Sequence, residues 1–150
     1  MITNVVLLID NRDVMSTKYK KILLKNNFSV FHLKSMDEAQ KIILNHEPEI
    51  ILISDSLGTD MAQNIETIRA INTKTRPCVV ALSKSNDIND KLKVLNSGAD
   101  DYFPEPIEFL EFIGRLKAHL RRTFESQLND ITMLLSLIHI SEPTRLALIS

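Results

Sequence analysis

The chain has 150 residues, of which 44% are apolar and 25% are charged, and its formal net charge is -1. This balance predicts one globular domain, and the near-neutral charge gives no indication of nucleic-acid or membrane binding. A single cysteine, Cys78, excludes a disulfide within the chain and a thiolate zinc site. The first apolar run is too short for a signal peptide or a membrane span, so we expect a cytoplasmic protein.

Short apolar runs alternate along the chain with longer segments of helical periodicity. The first run, residues 5–9, is continuously apolar, as in a strand that is buried on both faces of a parallel sheet. In chain order, the sequence predicts strands over residues 5–9, 28–33, 50–53, 78–82 and 102–103.

The segments between these runs carry apolar residues at the spacing of an amphipathic helix. Ser35 and Glu38 have the spacing of a capping box, which predicts that the second helix begins there and ends before Pro48. Gly98 has the position of a glycine that ends the fourth helix. The residues that mark the five helices in turn are Met15, Tyr19 and Ile22; Ala39, Ile42 and Ile43; Ile65, Ile68 and Ile71; Ile88, Leu92 and Leu95; and Ile107, Leu110, Ile113 and Leu116.

Five strand–helix units with short connections predict an α/β fold in which a parallel sheet is covered on both faces. We expect the flavodoxin-like, doubly wound (βα)5 architecture with strand order 2-1-3-4-5 and an extended C-terminal helix. Ligands of such folds lie beyond the carboxyl ends of the strands. The polar residues predicted at that edge are Asp10 and Asn11, Ser54 and Asp55, Ser83, and Glu105 followed by Pro106.

The last helix carries apolar residues beyond the length that a compact domain needs. Phe124, Leu128 and Ile131 continue the pattern, which predicts a domain over residues 1–123 and a projecting linker helix over residues 124–136. The segment over residues 137–150 loses the helical register and contains Pro143. We interpret it as a non-native or disordered tail of the kind that vector read-through leaves.

Four segments of the sequence resemble the receiver (response regulatory) domain of two-component systems. They are VVLLIDN, PEIILISDSL, VVALS and NSGADDYFPEPIEFLEFIGRLKAHLRR, and together they cover roughly residues 3 to 122. The resemblance implies a module that accepts a phosphoryl group from a histidine kinase on an aspartate after strand 3. It also implies a pair of acids for Mg²⁺, a hydroxyl after strand 4 and a lysine before a proline after strand 5.

This sequence keeps only part of that set. Asp10 matches the first acid, Ser83 matches the hydroxyl, and Tyr102 matches the aromatic residue that moves on activation in receivers. Asn11 stands where the second acid is expected. Glu105, before Pro106, stands in the lysine position and inverts the charge there, which opposes a bound phosphoryl group.

The phosphoacceptor position depends on a count of one residue. In receivers the acceptor commonly lies six residues after the proline before strand 3 and three before a small apolar residue. Counting from Pro48 and from Leu57 gives Ser54 in both cases, and Asp55 is the alternative. Because a shift of one residue turns a side chain to the other face of a strand, we expect Asp55 to point away unless a bulge intervenes.

These departures favour a pseudo-receiver without enzymatic activity, most like the degenerate second receiver of PleD-type diguanylate cyclase response regulators. Its expected partners are a second copy, a neighbouring receiver or a GGDEF output domain, bound through the fourth and fifth helices and the fifth strand. A histidine kinase is a further expected partner. Two alternatives stay open. One is a phosphorylatable receiver that uses Asp55, with Mg²⁺ held by Asp10, and the other is a flavodoxin-like domain that binds a small molecule.

Overall fold

The computed structural model describes residues 4–140, in which five strands alternate with five α-helices. A 3-10 turn over Asp55–Leu57 follows the third strand. The strands are β1 Asn4–Ile9, β2 Phe28–Leu33, β3 Ile50–Ser54, β4 Cys78–Ser83 and β5 Asp101–Pro104. The helices are α1 Asp13–Lys25, α2 Ala39–His46, α3 Met61–Arg69, α4 Ile88–Asn96 and α5 Phe109–Ile140.

All strand pairs in the sheet are parallel, and the strand order is β2-β1-β3-β4-β5. This confirms the predicted α/β class, the flavodoxin-like order and the long C-terminal helix. The register aligns Ile9 with Ile53, Ser54 with Leu82, and Ser83 with Pro104. The carboxyl ends of four strands therefore meet along one edge of the sheet.

The three central strands form the middle of the core. Every residue of β3 and β4 and the last four residues of β1 are buried, as their continuous apolar runs predict. Removal of apolar side-chain atoms from such a site, as in Ile51→Ala, typically costs about 2–5 kcal/mol. The buried polar side chains of the described residues are few, and all but Ser16 lie at the carboxyl edge of the sheet: Asp10, Ser16, Ser54, Ser83 and Glu105.

The predicted capping box of the second helix is wrong. Helix α2 begins at Ala39, and its N-cap residue Glu38 makes no side-chain capping bond. The hydroxyl of Ser35 instead accepts a hydrogen bond from the backbone N–H of Asp37 at 3.3 Å. Serine side chains compete in this way with helical hydrogen bonding, so the chain turns once more before the helix starts.

Helix α4 forms where it is predicted, but of the three apolar residues that mark it only Leu95 packs against the core. Ile88 is 61% exposed and Leu92 is 48% exposed, whereas Val94 is buried. Gly98 ends the helix as predicted, since its N–H donates to the Leu95 carbonyl and its φ is +122°.

A cluster of charged side chains around Asp100 fixes the start of β5. The Asp100 carboxylate accepts hydrogen bonds from Arg69, Arg76 and the backbone N–H of Val79, at 2.6, 2.7 and 2.9 Å. Burial by itself would raise the pKa of Asp100, but these hydrogen bonds and the two positive charges hold it below its ordinary value. Arg69 also donates to the Gly98 carbonyl, so the cluster joins α3 to the end of α4.

The described part of the chain divides after Leu116 into two compact units, and α5 contributes residues to both. In the first unit its side chains Phe112, Ile113 and Leu116 are buried. In the second unit the helix exposes Phe124, Leu128 and other apolar side chains. Residues 141–150 lie outside the described part of the chain, so the interpretation of residues 137–150 and the boundary after residue 123 stay predictions.

None of the helices within residues 4–140 combines the length and the apolar character that crossing a membrane requires. The location of the protein stays a prediction.

Candidate functional site

Asp10 is the central acid of the carboxyl edge. It follows β1 directly and is fully buried. Its Oδ1 accepts hydrogen bonds from the backbone N–H of Arg12 at 2.9 Å and from Arg12 Nε at 3.0 Å. Its Oδ2 accepts from Arg12 Nη2 at 2.9 Å. Both carboxylate oxygens therefore already have donors, as a buried charge requires.

Arg12 joins this acid to a second one. The backbone of Arg12 is extended at the N-cap of α1, and its N–H donates to the Asp10 carboxylate two residues earlier. This local turn directs the guanidinium of Arg12 toward the carboxyl edge of the sheet. There Nη1 and Nη2 donate to the two carboxylate oxygens of Glu105, each at 2.9 Å. Burial lowers the pKa of Arg12, but its hydrogen bonds to the two carboxylates outweigh burial and raise it above the ordinary value.

Glu105 is held from three directions. Its backbone N–H donates to the Ser83 carbonyl at 2.7 Å, which continues the pairing of β5 with β4. Its side chain is only 2% exposed and accepts hydrogen bonds from Arg12 and from the Tyr19 hydroxyl. Burial and the hydrogen bond to Glu105 raise the pKa of Tyr19 far above its ordinary value, so Tyr19 stays neutral. The Asp10–Arg12–Glu105 network therefore carries one net negative charge.

Ser54 lies at the end of β3, on the Asp10 side of the edge. It is 1% exposed, and its hydroxyl donates to Ser56 Oγ at 2.8 Å. Ser56 Oγ in turn donates to Asp10 Oδ1 at 3.3 Å. Asn11 donates its side-chain N–H to the Ser56 carbonyl at 3.0 Å. The position that the count favours for the acceptor thus carries a buried hydroxyl rather than a carboxylate.

Asp55 does not point away from the site, contrary to the sequence-based expectation. It is the first residue of the 3-10 turn, so the alternation of strand faces ends at Ser54 and no longer directs its side chain. The exposed carboxylate accepts from Ser83 Oγ at 2.7 Å and from the Lys84 N–H at 3.1 Å. Asp55 therefore lies on the β4 side of the edge, beside the predicted hydroxyl.

Tyr102 lies close to this β4 cluster. Its ring is 4% exposed, and its hydroxyl donates to the Ser85 carbonyl at 2.8 Å. A cleft of about 250 Å³ is lined by Asp55, Ser83, Ser85 and Tyr102, among others. The predicted site residues thus divide into two neighbouring groups, one around Asp10 and Glu105 and one around Asp55 and Ser83.

The donor set around Asp10 does not fit the Mg²⁺ ion that a phosphorylatable receiver would use. Mg²⁺ takes carboxylate and carbonyl oxygens with strict octahedral geometry. Here the oxygens of Asp10 and the carbonyl of Ser56 accept hydrogen bonds from protein groups. Within residues 4–140, no three His, Cys, Asp or Glu side chains are grouped so that they could hold a metal ion.

Arg12 is the site residue that the sequence analysis missed. Two signals were present: an acid in the position of a lysine, and an arginine two residues after the buried acid. A buried carboxylate requires a compensating cation, so Glu105 in the lysine position predicts a new positive partner. Which arginine or lysine supplies that charge depends on how β1 and β5 are arranged in the sheet.

Comparison with known proteins places this arrangement in a family. The sequence-family model for the response regulator receiver domain matches residues 6–117 of the chain. A two-component response regulator from Clostridium difficile is 26% identical, with 80% of this chain and 98% of that chain covered and a TM-score of 0.74. A CheY-like receiver domain protein from Methanospirillum hungatei is 18% identical, with 83% and 99% covered and a TM-score of 0.74.

A third similar structure is the receiver domain of a sensor histidine kinase from Pseudomonas aeruginosa, which has a magnesium ion coordinated in its active-site cleft. It is 21% identical, covers 78% of this chain and 97% of its own, and has a TM-score of 0.70. Receiver domains are signalling modules that interact with histidine kinases and output domains, and they are generally not enzymes. With its fold, its edge residues and the family match over most of its length, this chain belongs to the response regulator receiver domain family of two-component systems.

Proposed function

We propose that this receiver domain is a pseudo-receiver, an adaptor that keeps the fold of the family and has lost the phosphorylation chemistry. The observation that carries the proposal is the buried Glu105 carboxylate in the position where a lysine is expected. This carboxylate is fixed by hydrogen bonds from Arg12 and Tyr19, so it is an integral part of the packed structure and not a solvated surface charge. We propose that its functional counterparts are the degenerate second receivers of PleD-type response regulators.

Electrostatics at the edge oppose a transferred phosphoryl group. The network of Asp10, Arg12 and Glu105 already has one net negative charge, and phosphorylation of an aspartate adds about one more, because a phosphoryl dianion replaces a single carboxylate charge. Two unit charges 4 Å apart repel by about 4 kcal/mol at the effective dielectric constant near a protein surface. A lysine in place of Glu105 would offset that repulsion, whereas the glutamate adds to it.

The chemistry of the acceptor position gives a second argument. Ser54 ends β3 where the count places the acceptor, and it offers a hydroxyl that is 1% exposed. An acyl phosphate requires a carboxylate, so this position cannot form one. The Ser54 hydroxyl instead donates a hydrogen bond to Ser56 Oγ, as part of the hydrogen-bond chain to Asp10.

The adaptor role is supported by apolar side chains exposed next to the β5 edge of the sheet. Ile88 and Leu92 on α4 are 61% and 48% exposed, and Leu110 on α5 is 86% exposed. Arg115 on α5 pairs with Asp101 of β5 at 3.6 Å and with Glu111 at 3.0 Å, which adds charges of both signs to this part of α5 and β5. A face with apolar side chains and both charge signs suits a self-complementary pairing, so we propose a second copy of the chain as its partner. A GGDEF-type output domain is the proposed effector.

A phosphorylatable receiver remains the second candidate, and one observation favours it. Asp55 is an exposed carboxylate at the carboxyl edge, and the hydroxyl of Ser83 is within 2.7 Å of it. In that case a histidine kinase would be the partner and Asp55 the acceptor. The two candidates therefore differ in what a phosphodonor does to Asp55.

Incubation of the full chain with Mg²⁺ and acetyl phosphate, followed by intact mass spectrometry, separates the candidates. The pseudo-receiver predicts no added phosphoryl mass in the wild type, in Asp55→Asn or in Ser54→Ala. An adduct in the wild type that disappears in Asp55→Asn and persists in Ser54→Ala would overturn the pseudo-receiver and establish the second candidate.

A further inference from the structure

We propose that the guanidinium of Arg12 is a built-in cation that occupies the place of a divalent metal ion in this pocket. This inference rests on the proposed function, because it explains how a degenerate receiver keeps its acidic edge folded without a metal. It concerns Asp10 and Glu105 rather than the phosphoacceptor, so it can fail independently.

The geometry converges on one atom. Arg12 Nη2 lies 2.9 Å from Asp10 Oδ2 and 2.9 Å from Glu105 Oε2. Two carboxylate oxygens from different strand ends thus approach the same positive centre, as they would approach a shared metal ion. Nη1 and Nε extend the same planar group to the remaining oxygens of the pair.

Arg12 holds this position as a tethered ligand. It is two residues from Asp10, and its own backbone N–H also donates to that carboxylate at 2.9 Å. A cation that belongs to the chain loses little freedom on binding, whereas a free ion must first shed its water. The guanidinium also stays charged throughout the accessible pH range. A dissolved divalent ion therefore has to displace a partner that is always present.

Neighbouring groups favour the same replacement. Asn11, in place of an acid, has no charge to attract a metal ion, and its N–H donates to the Ser56 carbonyl. Ser56 Oγ donates to the Asp10 oxygen that also accepts from Arg12 Nε. Each of these oxygens could ligate a cation, and each is engaged by a donor from the chain.

If the guanidinium occupies the position of a metal ion, its removal should create a divalent-cation site. Without Arg12, the Asp10 and Glu105 carboxylates would face each other at the centre that Nη2 occupied. We would titrate Mn²⁺ into the full chain and follow paramagnetic broadening of backbone amide signals by NMR, with Mg²⁺ as the competitor. The variants are Arg12→Ala and, as the matched control, Lys34→Ala, which breaks an exposed ion pair with Asp13.

We expect Mn²⁺ to broaden the signals of Asn11 and Ser56 in Arg12→Ala, at concentrations at least roughly tenfold lower than any effect in the wild type. Mg²⁺ should reverse the broadening and raise the melting temperature of Arg12→Ala alone. Lys34→Ala should behave as the wild type. If Arg12→Ala is unfolded in EDTA, its folding on addition of Mg²⁺ reports the same site.

Saturable broadening centred on Asn11 in the wild type would overturn the built-in cation, as would an Arg12→Ala variant that gains neither Mn²⁺ binding nor Mg²⁺ stabilisation. The proposed function has its own readout. A wild-type chain that binds Mn²⁺ but takes no phosphoryl group would remove this inference and leave the pseudo-receiver standing. An Asp55-dependent adduct would remove the pseudo-receiver whatever the metal titration shows.

Discussion

The replacement Arg12→Ala in metal-free buffer is the most direct perturbation of the carboxyl edge. In the wild type, the Asp10 side chain is fully buried and the Glu105 side chain is 2% exposed, and both are bonded to this one guanidinium. Removal of one partner of a buried ion pair leaves an uncompensated charge and typically costs about 3–5 kcal/mol. Here two carboxylates lose their common partner, so we expect a loss at the upper end of that range.

A loss of this size is large against the total stability of a domain, which is about 5–15 kcal/mol. Urea unfolding followed by circular dichroism, with EDTA present, measures it as a shift of the midpoint at unchanged slope. Lys34→Ala is the control, because Lys34 and Asp13 form an ion pair whose side chains are 67% and 81% exposed. Such exposed pairs contribute about 0–1 kcal/mol.

A double-mutant cycle between Arg12 and Glu105 tests the same compensation of charge. Glu105→Gln leaves Asp10 and Arg12 as a neutral pair, so it should cost less than Arg12→Ala. The double variant should cost less than the sum of the two single variants, because one of the two unpaired carboxylates is then absent. An Arg12→Ala variant that loses no more stability than Lys34→Ala would refute the view that this guanidinium compensates two buried charges.

Three further outcomes follow from the structure. Burial raises the pKa of Asp100, but the hydrogen bonds from Arg76 and Val79 and the charges of Arg69 and Arg76 together outweigh burial and hold it low. The stabilising contribution of this carboxylate is therefore present above the unfolded pKa of about 4 and is lost as pH falls through the folded pKa. The free energy of unfolding of Asp100→Asn, measured in urea, should therefore lie below that of the wild type at neutral pH. The difference between the two should shrink as the pH becomes acidic. Leu110→Glu should convert a dimer to a monomer in light scattering of the full chain, whereas Leu44→Glu on α2 should not; a wild type that stays monomeric at high concentration contradicts the adaptor surface. Gly98→Ala should lower the free energy of unfolding by more than about 1 kcal/mol, because φ is +122° and the added methyl would lie 2.9 Å from the Arg69 side chain. An unchanged midpoint in urea unfolding would count against that packing.

Local patterns were sufficient for the architecture. The continuous apolar runs of β1, β3 and β4 could be buried only in the middle of a parallel sheet, and the helical periods between them supplied the crossovers. The same patterns placed Asp10, Ser54, Ser83 and Glu105 at one edge, because parallel strands end together. Periodicity depends on neighbours a few residues apart, and such neighbours are visible in the sequence.

The tertiary structure decided which of these residues touch. Arg12 and Glu105 are 93 positions apart, and their pairing depends on two strands, β3 and β4, that separate β1 from β5 in the sheet. The direction of Asp55 depended on a 3-10 turn that replaces the strand after Ser54. The sequence determined that the edge would carry Asn11 in place of an acid and Glu105 in place of a lysine, since the residues at strand ends can be identified locally. Only the packing of distant strands decided that an arginine would pair with both carboxylates, since a buried charge is matched by whichever cation the fold brings within reach.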